Sequence, residues 1–362
     1  MMKPLRKVVC AVSGGVDSAV AAYLLKAKGF DVAGVYMINW DRVEEGTSEC
    51  PQSRDESDAR KVCSRLRIPF YVASYVDKYW NEIFLYLLDS YRKGRTVVSD
   101  VLCNQTIKFD RLHKYAFDEL HADAVATGHY ARTSFGDFLE KRSETGCHVH
   151  DDDPGVHRCL QYDGITKRNT FFRKLRPALA IYNLVVRLLA AVDPLKDQTY
   201  FLSTLSQTQL RRSMFPVGSL TKLQVRQIAS DAGLLEVANK PESMGICFIG
   251  KRKNFDSFID QCQGSYHPAL FAREFVVEEP AWISECPISN DTVKTEFRCQ
   301  RTHPALFCDV GRLQRGLLRV KPRNPVRAAA PGQMCVFYNE NECLGGGEIQ
   351  HVVSTLAEQK DH

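Results

Sequence analysis

Apolar residues along the first third of this chain fall in short blocks, and the blocks alternate between two periods. Val8, Val9, Cys10, Ala11 and Val12 form an unbroken apolar run, the pattern of a strand buried on both faces. Residues 19–25 then read as a helix, with Gly29 as its C-terminal cap. Residues 32–37 predict a second strand, 55–66 a helix closed by Pro69, and 70–74 a third strand. Helices are expected around 79–91 and 107–120, and Ala124, Val125, Ala126 and Thr127 read as a further strand. Strands alternating with helices at this spacing predict a doubly wound α/β domain over roughly the first 130 residues. Ligands in such sheets bind beyond the carboxyl ends of the strands, so Met37, Cys103, Gly128, His129 and the turn after the first strand are expected to share one crevice.

The pattern changes further along. Periodicity is lost between 134 and 173, returns near Lys196, and yields one convincing amphipathic helix over 221–228, capped by Thr221 and ending near Gly233. From about Phe275 the chain becomes short apolar segments separated by turns, such as 333–338 and 343–347, which predicts a small β-barrel or sandwich. The expected organisation is a catalytic domain over 1–215, a reduced central segment over 216–275, and a C-terminal β-barrel over 276–362.

At 362 residues, with 44% apolar and 25% charged, the chain has the composition of a soluble protein of two or three domains. No apolar run approaches the roughly 20 residues of a membrane span, and the first strand begins so early that little room is expected for a transit peptide. Thirteen cysteines without regular spacing point to a reducing compartment. The histidines and cysteines at 147–159 match no common zinc spacing, and no metal site is expected there. The net charge of +5 is unevenly spread: Arg312, Arg315, Arg319, Lys321, Arg323 and Arg327 follow one another without an acid, a run that suits a polyanion or a solvated basic face.

The turn after the first strand carries the sharpest chemistry. Ser13-Gly14-Gly15-Val16-Asp17-Ser18 joins a strand to a helix, so glycines allow close approach of an oxyanion, the helix N-terminus offers N–H groups, and two serines add hydroxyls. It lacks the lysine of a Walker loop and the spacing of a dinucleotide fingerprint. It resembles the pyrophosphatase loop of enzymes that split ATP into AMP and pyrophosphate to adenylate a substrate oxygen, with Asp17 a candidate to hold Mg2+. Two cysteines stand out by context. Cys103 is placed at a helix start, where the dipole, Arg95 and Lys108 are expected to lower its pKa, and Cys247 lies in a glycine-bracketed turn. Taken singly, each reads first as a buried structural thiol; together with the loop they suggest sulfur chemistry.

Together these residues resemble the tRNA-specific 2-thiouridylases, most closely their animal mitochondrial form. The resemblance rests on 13–18, Gly94-Arg95-Thr96 with Asp100 and Cys103-Asn104, 107–109, 126–130, Lys196-Asp197-Gln198, 245–250, Pro331-Gly332-Gln333 and 343–347. It implies a PP-loop domain of the adenine-nucleotide alpha-hydrolase type, use of ATP and Mg2+, tRNA and a persulfide donor protein as partners, and a mitochondrial location, with a cytoplasmic one as the alternative. It implies that Cys247 carries a persulfide whose outer sulfur attacks C2 of the wobble uridine, that Cys103 resolves it to leave a disulfide, and that Asp100 serves proton transfer. Ala11, Val12, Ser13, Gly14, Gly15, Val16, Asp17, Ser18, Met37 and Gly128 would bind ATP. His129, Lys196, Asp197, Gln198, Gln333 and Arg298 would meet tRNA. The chain departs from the family where Val97, Val98 and Ser99 replace Pro-Asn-Pro and where a long stretch is missing between Gln263 and His267, which reduces the central tRNA-binding part; residues 140–184 look like replacement sequence. An active sulfurtransferase is the leading reading, with a catalytically impaired tRNA-binding homologue or another PP-loop adenylating enzyme as alternatives.

Overall fold

The structure is a computed structural model that describes residues 5–40, 51–140, 185–241, 268–284, 286–288, 292–327 and 329–359. Its first sheet consists of β1 (Lys7–Ala11), β2 (Asp31–Ile38), β3 (Phe70–Ser74), β4 (Ala124–Ala126) and β7 (Ser213–Met214), all parallel, in the order β3-β2-β1-β4-β7. The apolar run at the start of the chain is buried on both faces. Val8 and Cys10 face a core shared with α1 (Val16–Ala27) and α2 (Pro51–Arg65), while Val9 and Ala11 face Leu112 and Ala116 of α6 (Leu112–Asp118). The strand order reverses direction at β1, so the turns after β1 and β4 flank the switch point where ligands bind in such sheets.

Two helical stretches beside the crevice are irregular. α3 (Val76–Tyr79) passes through a π-helical turn, Trp80–Phe84, into α4 (Leu85–Arg92). The helix expected from 107 begins earlier: α5 (Ser99–Cys103) continues through a π-helical segment, Asn104–Arg111, into α6. π-helical turns recur at functional sites because they re-aim side chains within a helix.

The second sheet closes on itself. β8 (Phe271–Glu278), β12 (Leu317–Pro322), β11 (Leu306–Leu313), β10 (Val293–Arg298), β14 (Met334–Asn339) and β15 (Glu342–Thr355) pair in sequence, and β15 returns to β8 to close a six-stranded barrel. The short strands β9 (Ala281–Trp282) and β13 (Val326–Arg327) add to β15 and β8, and Phe275, Phe297, Val310, Leu318, Val320 and Phe337 fill the barrel. The first domain grips this barrel: β5 (Arg132–Thr133) and β6 (Leu188–Leu189) extend its sheet through the pairing of β6 with β15. Tyr200, on α7 (Thr199–Leu202), donates to the carbonyls of Cys299 at 2.9 Å and Met334 at 3.2 Å.

α8 (Gln207–Leu210) precedes β7, and α9 (Lys222–Asp231) and α10 (Leu235–Ala238) lie against α1. Val225, Ala229 and Val237 belong to the same core as Ala19 and Val20, so residues 222–238 pack into the first domain. Thr221 caps α9 as the sequence leads one to expect, in a capping box with Gln224, and Gly233 follows the helix with φ of 72°. The basic run on β11 and β12 is largely engaged on the barrel surface. Arg312 pairs with Glu279 at 2.9 Å, and Arg319 and Lys321 share Glu274 at 3.0 and 3.4 Å.

Candidate active site

The loop after β1 is internally braced. Ser18 Oγ accepts from the Ser13 N–H, donates to the Gly15 carbonyl, and lies 3.1 Å from Ser13 Oγ. Gly15 sits at the N-cap of α1 in extended conformation with no side chain capping the helix, which leaves the first-turn N–H groups to an anionic ligand. Gly128 closes the crevice from β4: a Cβ there would lie 2.6 Å from the Ser18 nitrogen, so only glycine lets the two turns approach. Ala11 and Val12 are buried beneath the loop, and Met37 stands half-buried at the carboxyl end of β2. The residues expected to bind ATP therefore gather at the switch point.

Asp17 is the charged centre of this crevice. Its Oδ1 accepts from Tyr130 Oη at 2.8 Å, and Lys222 Nζ reaches Oδ1 and Oδ2 at 2.7 and 2.8 Å. Lys222 is the first helical residue of α9, pinned there by the Thr221 cap and by its own N–H to Asp193 at 3.0 Å. A second lysine meets the loop from the other side: Lys240 Nζ donates to the Gly14 carbonyl at 3.1 Å, to Asp55 at 2.6 Å and to Asp58 at 2.8 Å. Burial alone would lower the Lys240 pKa, and its two carboxylates outweigh that and raise it. The loop thus acquires from later in the chain the lysines its own motif lacks. Sequence reading missed Tyr130, Lys222 and Lys240 as members of the site; the Thr221 capping pattern located Lys222 on its helix, but nothing local linked it to Asp17, 205 positions away.

Cys103 occupies a different environment. It is 1% exposed, within an apolar cluster with Tyr79, Ile83 and Ile107, against which Met37, Trp40, Tyr75 and Phe84 pack. The expected lowering of its thiol pKa is corrected here. Burial pushes it up from 9.0 to about 11, Lys108 pulls it back only in part, and Asp100 adds to the rise. The residue ends α5 rather than opening a helix, and Arg95 is ion-paired with Glu348. Asp100 lies in the first turn of α5, half-buried. Cys247, expected as its partner, falls outside the described residues.

The residues expected to meet tRNA spread from the crevice to the barrel joint. His129 is 9% exposed, with its ring near those of Phe109 and Phe215 and Nδ1 2.8 Å from Thr127 Oγ1; burial holds its pKa well below 6.5, so the ring is neutral. Gln198 exchanges two 2.9 Å hydrogen bonds with the Tyr130 backbone and so braces the residue that holds Asp17. Asp197 is 2% exposed and accepts from Thr199 Oγ1 and Arg298 Nη1, both at 2.8 Å, while Arg298 also lies over the Tyr338 ring. Lys196 is half-buried at the outer edge of this turn.

Gln333 lies in the turn that receives the 94–96 segment. The Thr96 N–H donates to the Pro331 carbonyl at 2.7 Å, Arg95 pairs with Glu348, and Gly332 at φ of 90° lies so close that a Cβ would stand 2.8 Å from the Thr96 nitrogen. Two motifs far apart in sequence are one structural unit, and the barrel holds the segment where the prolines expected of the family are absent.

A parallel sheet with a braced glycine loop at its switch point, coupled to a closed barrel, defines a nucleotide-binding α/β domain of the HUP class with an appended β-barrel. The profile described as tRNA methyl transferase HUP domain matches residues 6–154 and 177–251, and that described as aminomethyltransferase beta-barrel domain matches 272–349. The chain is 43% identical over 412 residues to the probable mitochondrial tRNA-specific 2-thiouridylase 1 of Caenorhabditis elegans, covering 97% of this chain and 100% of that one. It is 38% identical over 408 residues to the mitochondrial tRNA-specific 2-thiouridylase 1 of Homo sapiens, covering 96% and 91%, and 34% identical over 405 residues to the Drosophila melanogaster protein of that name, covering 95% and 94%. The chain belongs to the tRNA-specific 2-thiouridylase family. The 412-residue alignment exceeds the 362 residues of this chain, so the nematode protein carries internal segments without counterpart here. The profile match breaks at 155–176, inside the 140–184 stretch expected to be unmatched and narrower than it.

Proposed function

We propose that this chain is an ATP-dependent tRNA-uridine 2-sulfurtransferase of mitochondria, which replaces the C2 oxygen of the wobble uridine with sulfur. The observation that carries the reading is a shared wall: Met37, at the nucleotide end of β2, packs against the cluster that contains Cys103. Adenylation and sulfur delivery are then neighbouring events at one sheet edge. The C2 carbonyl of uracil lacks a leaving group, and ATP supplies one by adenylating its oxygen with release of pyrophosphate. The braced loop 13–18 and the α1 N-terminus receive the phosphates, with Lys222 and Lys240 at hand to balance their charge. Mg2+ commonly takes one or two carboxylates together with substrate phosphates, and Asp17, held by Lys222 in this structure, is the loop carboxylate that would hold it.

Sulfur is then delivered from a persulfide carried on this chain. The outer sulfur of a persulfide on Cys247, loaded by a donor protein, attacks C2, and the C–O bond to AMP breaks. Cys103 attacks the Cys247 sulfur, its proton leaving to a base such as Asp100, and the S–S bond breaks to leave thiocarbonyl and a Cys103–Cys247 disulfide. Cys103 sits in a dry site where its thiol holds its proton in the resting protein. That arrangement protects it until substrate arrives. The test is to incubate the chain with ATP, Mg2+, a persulfide donor and tRNA. The expected products are AMP and pyrophosphate, formed only when tRNA with an unmodified wobble uridine is present; ADP and phosphate, or no tRNA dependence, contradicts the reading.

A further inference from the structure

Three buried polar groups, two at the carboxyl ends of β2 and β3 and one next to Cys103 in sequence, stand out because the resting structure leaves them unsatisfied. Asn39 is fully buried at 0% exposure, and neither its Oδ1 nor its Nδ2 has a hydrogen-bond partner among the described residues. The buried Tyr75 hydroxyl is likewise unpartnered, as is Asn104 Oδ1, whose Nδ2 donates to the Phe201 carbonyl. Leaving a buried polar group unsatisfied costs about 1–3 kcal/mol, so such groups in one place ask for a ligand.

Their placement narrows the choice. Asn39 follows β2 directly, and the Tyr75 N–H donates to the Ile38 carbonyl at 2.7 Å, so Asn39 and Tyr75 stand side by side at the carboxyl edge of neighbouring strands. Along β2, Ala33 and Val35 face the core formed with α6, and Met37 packs on that core and on the Cys103 cluster. Two-residue alternation continued past Ile38 sets Asn39 on this same face. Its sequence neighbour Trp40 packs on the Cys103 cluster as well, as does Tyr75.

We propose that Asn39, seconded by Tyr75, is a positioning residue for the target base: its amide receives the N3–H of uracil and donates to O4, so that C2 is held toward Cys103. This rests on the sulfurtransferase reading. An amide offers one acceptor and a donor pair at the spacing of a pyrimidine edge, and the wall beside it is the one that C2 must approach for sulfur transfer. The apolar and aromatic neighbours Met37, Trp40 and Phe84 supply the surface on which an extruded base rests.

The test uses Asn39→Leu, which keeps the number and branching of side-chain heavy atoms and removes both polar atoms, and Tyr75→Phe, which removes one hydroxyl. For the full chain, kcat/KM for tRNA is expected to fall about 10- to 100-fold in Asn39→Leu and several-fold in Tyr75→Phe. ATP affinity measured by equilibrium binding stays within about twofold in both variants, and the Tm of Tyr75→Phe does not fall, because there the resting protein loses only an unsatisfied group. In equilibrium binding without ATP, wild-type protein is expected to prefer tRNA with uridine over tRNA with 3-methyluridine, which lacks N3–H, at the target position, and Asn39→Leu is expected to lose that preference. Unchanged tRNA kinetics in both variants, or a loss of ATP affinity in step with the loss of activity, overturns the proposal. Should Asn39→Leu fail to fold, Tyr75→Phe with normal tRNA kinetics overturns it equally. Failure of the wild-type chain to form 2-thiouridine would instead refute the underlying reading.

Discussion

The two halves of the crevice are built on opposite principles. At the loop, charge is present and matched: Asp17 with Lys222 and Tyr130, and Lys240 with Asp55 and Asp58. Around Cys103, apolar and aromatic side chains exclude water, the thiol is held protonated, and Asn39 and Tyr75 are left with unmet hydrogen-bonding capacity. The difference teaches how one sheet edge can serve two chemistries. Phosphate transfer needs preorganised charge, whereas a sulfur nucleophile needs protection from solvent until its electrophile exists.

The largest expected effect comes from removing the charged centre. Asp17→Asn leaves Lys222 without its carboxylate and is expected to lower kcat/KM for ATP by about 10²- to 10³-fold with tRNA binding intact, measured by pyrophosphate release beside a tRNA binding assay. Equal losses in both assays would break the distinction between the halves. Arg298→Leu leaves buried Asp197 without its cation and is expected to cost about 3–5 kcal/mol, read from denaturant unfolding. Lys222→Met is expected to weaken ATP use about 10- to 100-fold without changing the accessibility of Cys103 to alkylation.

Gly332→Ala forces a Cβ against the Thr96 backbone at a positive φ, and a cost of about 1–3 kcal/mol is expected. It should slow sulfur transfer more than adenylation, since the segment it displaces leads to Asp100 and Cys103. The smallest effect is the pH profile of Cys103 alkylation without tRNA. With its thiol at about 11, reactivity is expected to climb about tenfold per pH unit from pH 7 to 10. A profile that levels near pH 8 would contradict the dry environment. Because the folded thiol keeps its proton above its ordinary 9.0, its contribution to stability is full below pH 9 and is lost as pH rises through about 11.

What the sequence made legible follows from the range of the forces involved. β3 at Phe70–Ser74, the strand at Ala124–Ala126 and the Thr221 cap were all readable because period and capping are local. The glycine loop was readable for the same reason. Lys222 and Lys240 reach the loop through tertiary packing, which no local pattern encodes. Of the two readings the sequence offered for Cys103, a buried thiol and one with a lowered pKa, burial prevails, because desolvation outweighs helix position and nearby cations. The start of that helix at Ser99 was missed because the 94–98 segment takes its order from the barrel turn at Pro331. Two-residue strands such as β5 and β6 carry too few residues to show any period.

The central claim is that one chain adenylates a tRNA uridine and delivers sulfur to it through Cys103 and Cys247. The most direct measurement is mass spectrometry of unmodified tRNA incubated with the chain, ATP, Mg2+ and a persulfide donor, beside Cys103→Ser and Cys247→Ser. The account expects the mass gain of one oxygen-to-sulfur exchange at the wobble uridine, absent in both variants. Bound tRNA that gains no sulfur, while a longer relative succeeds in parallel, would contradict it.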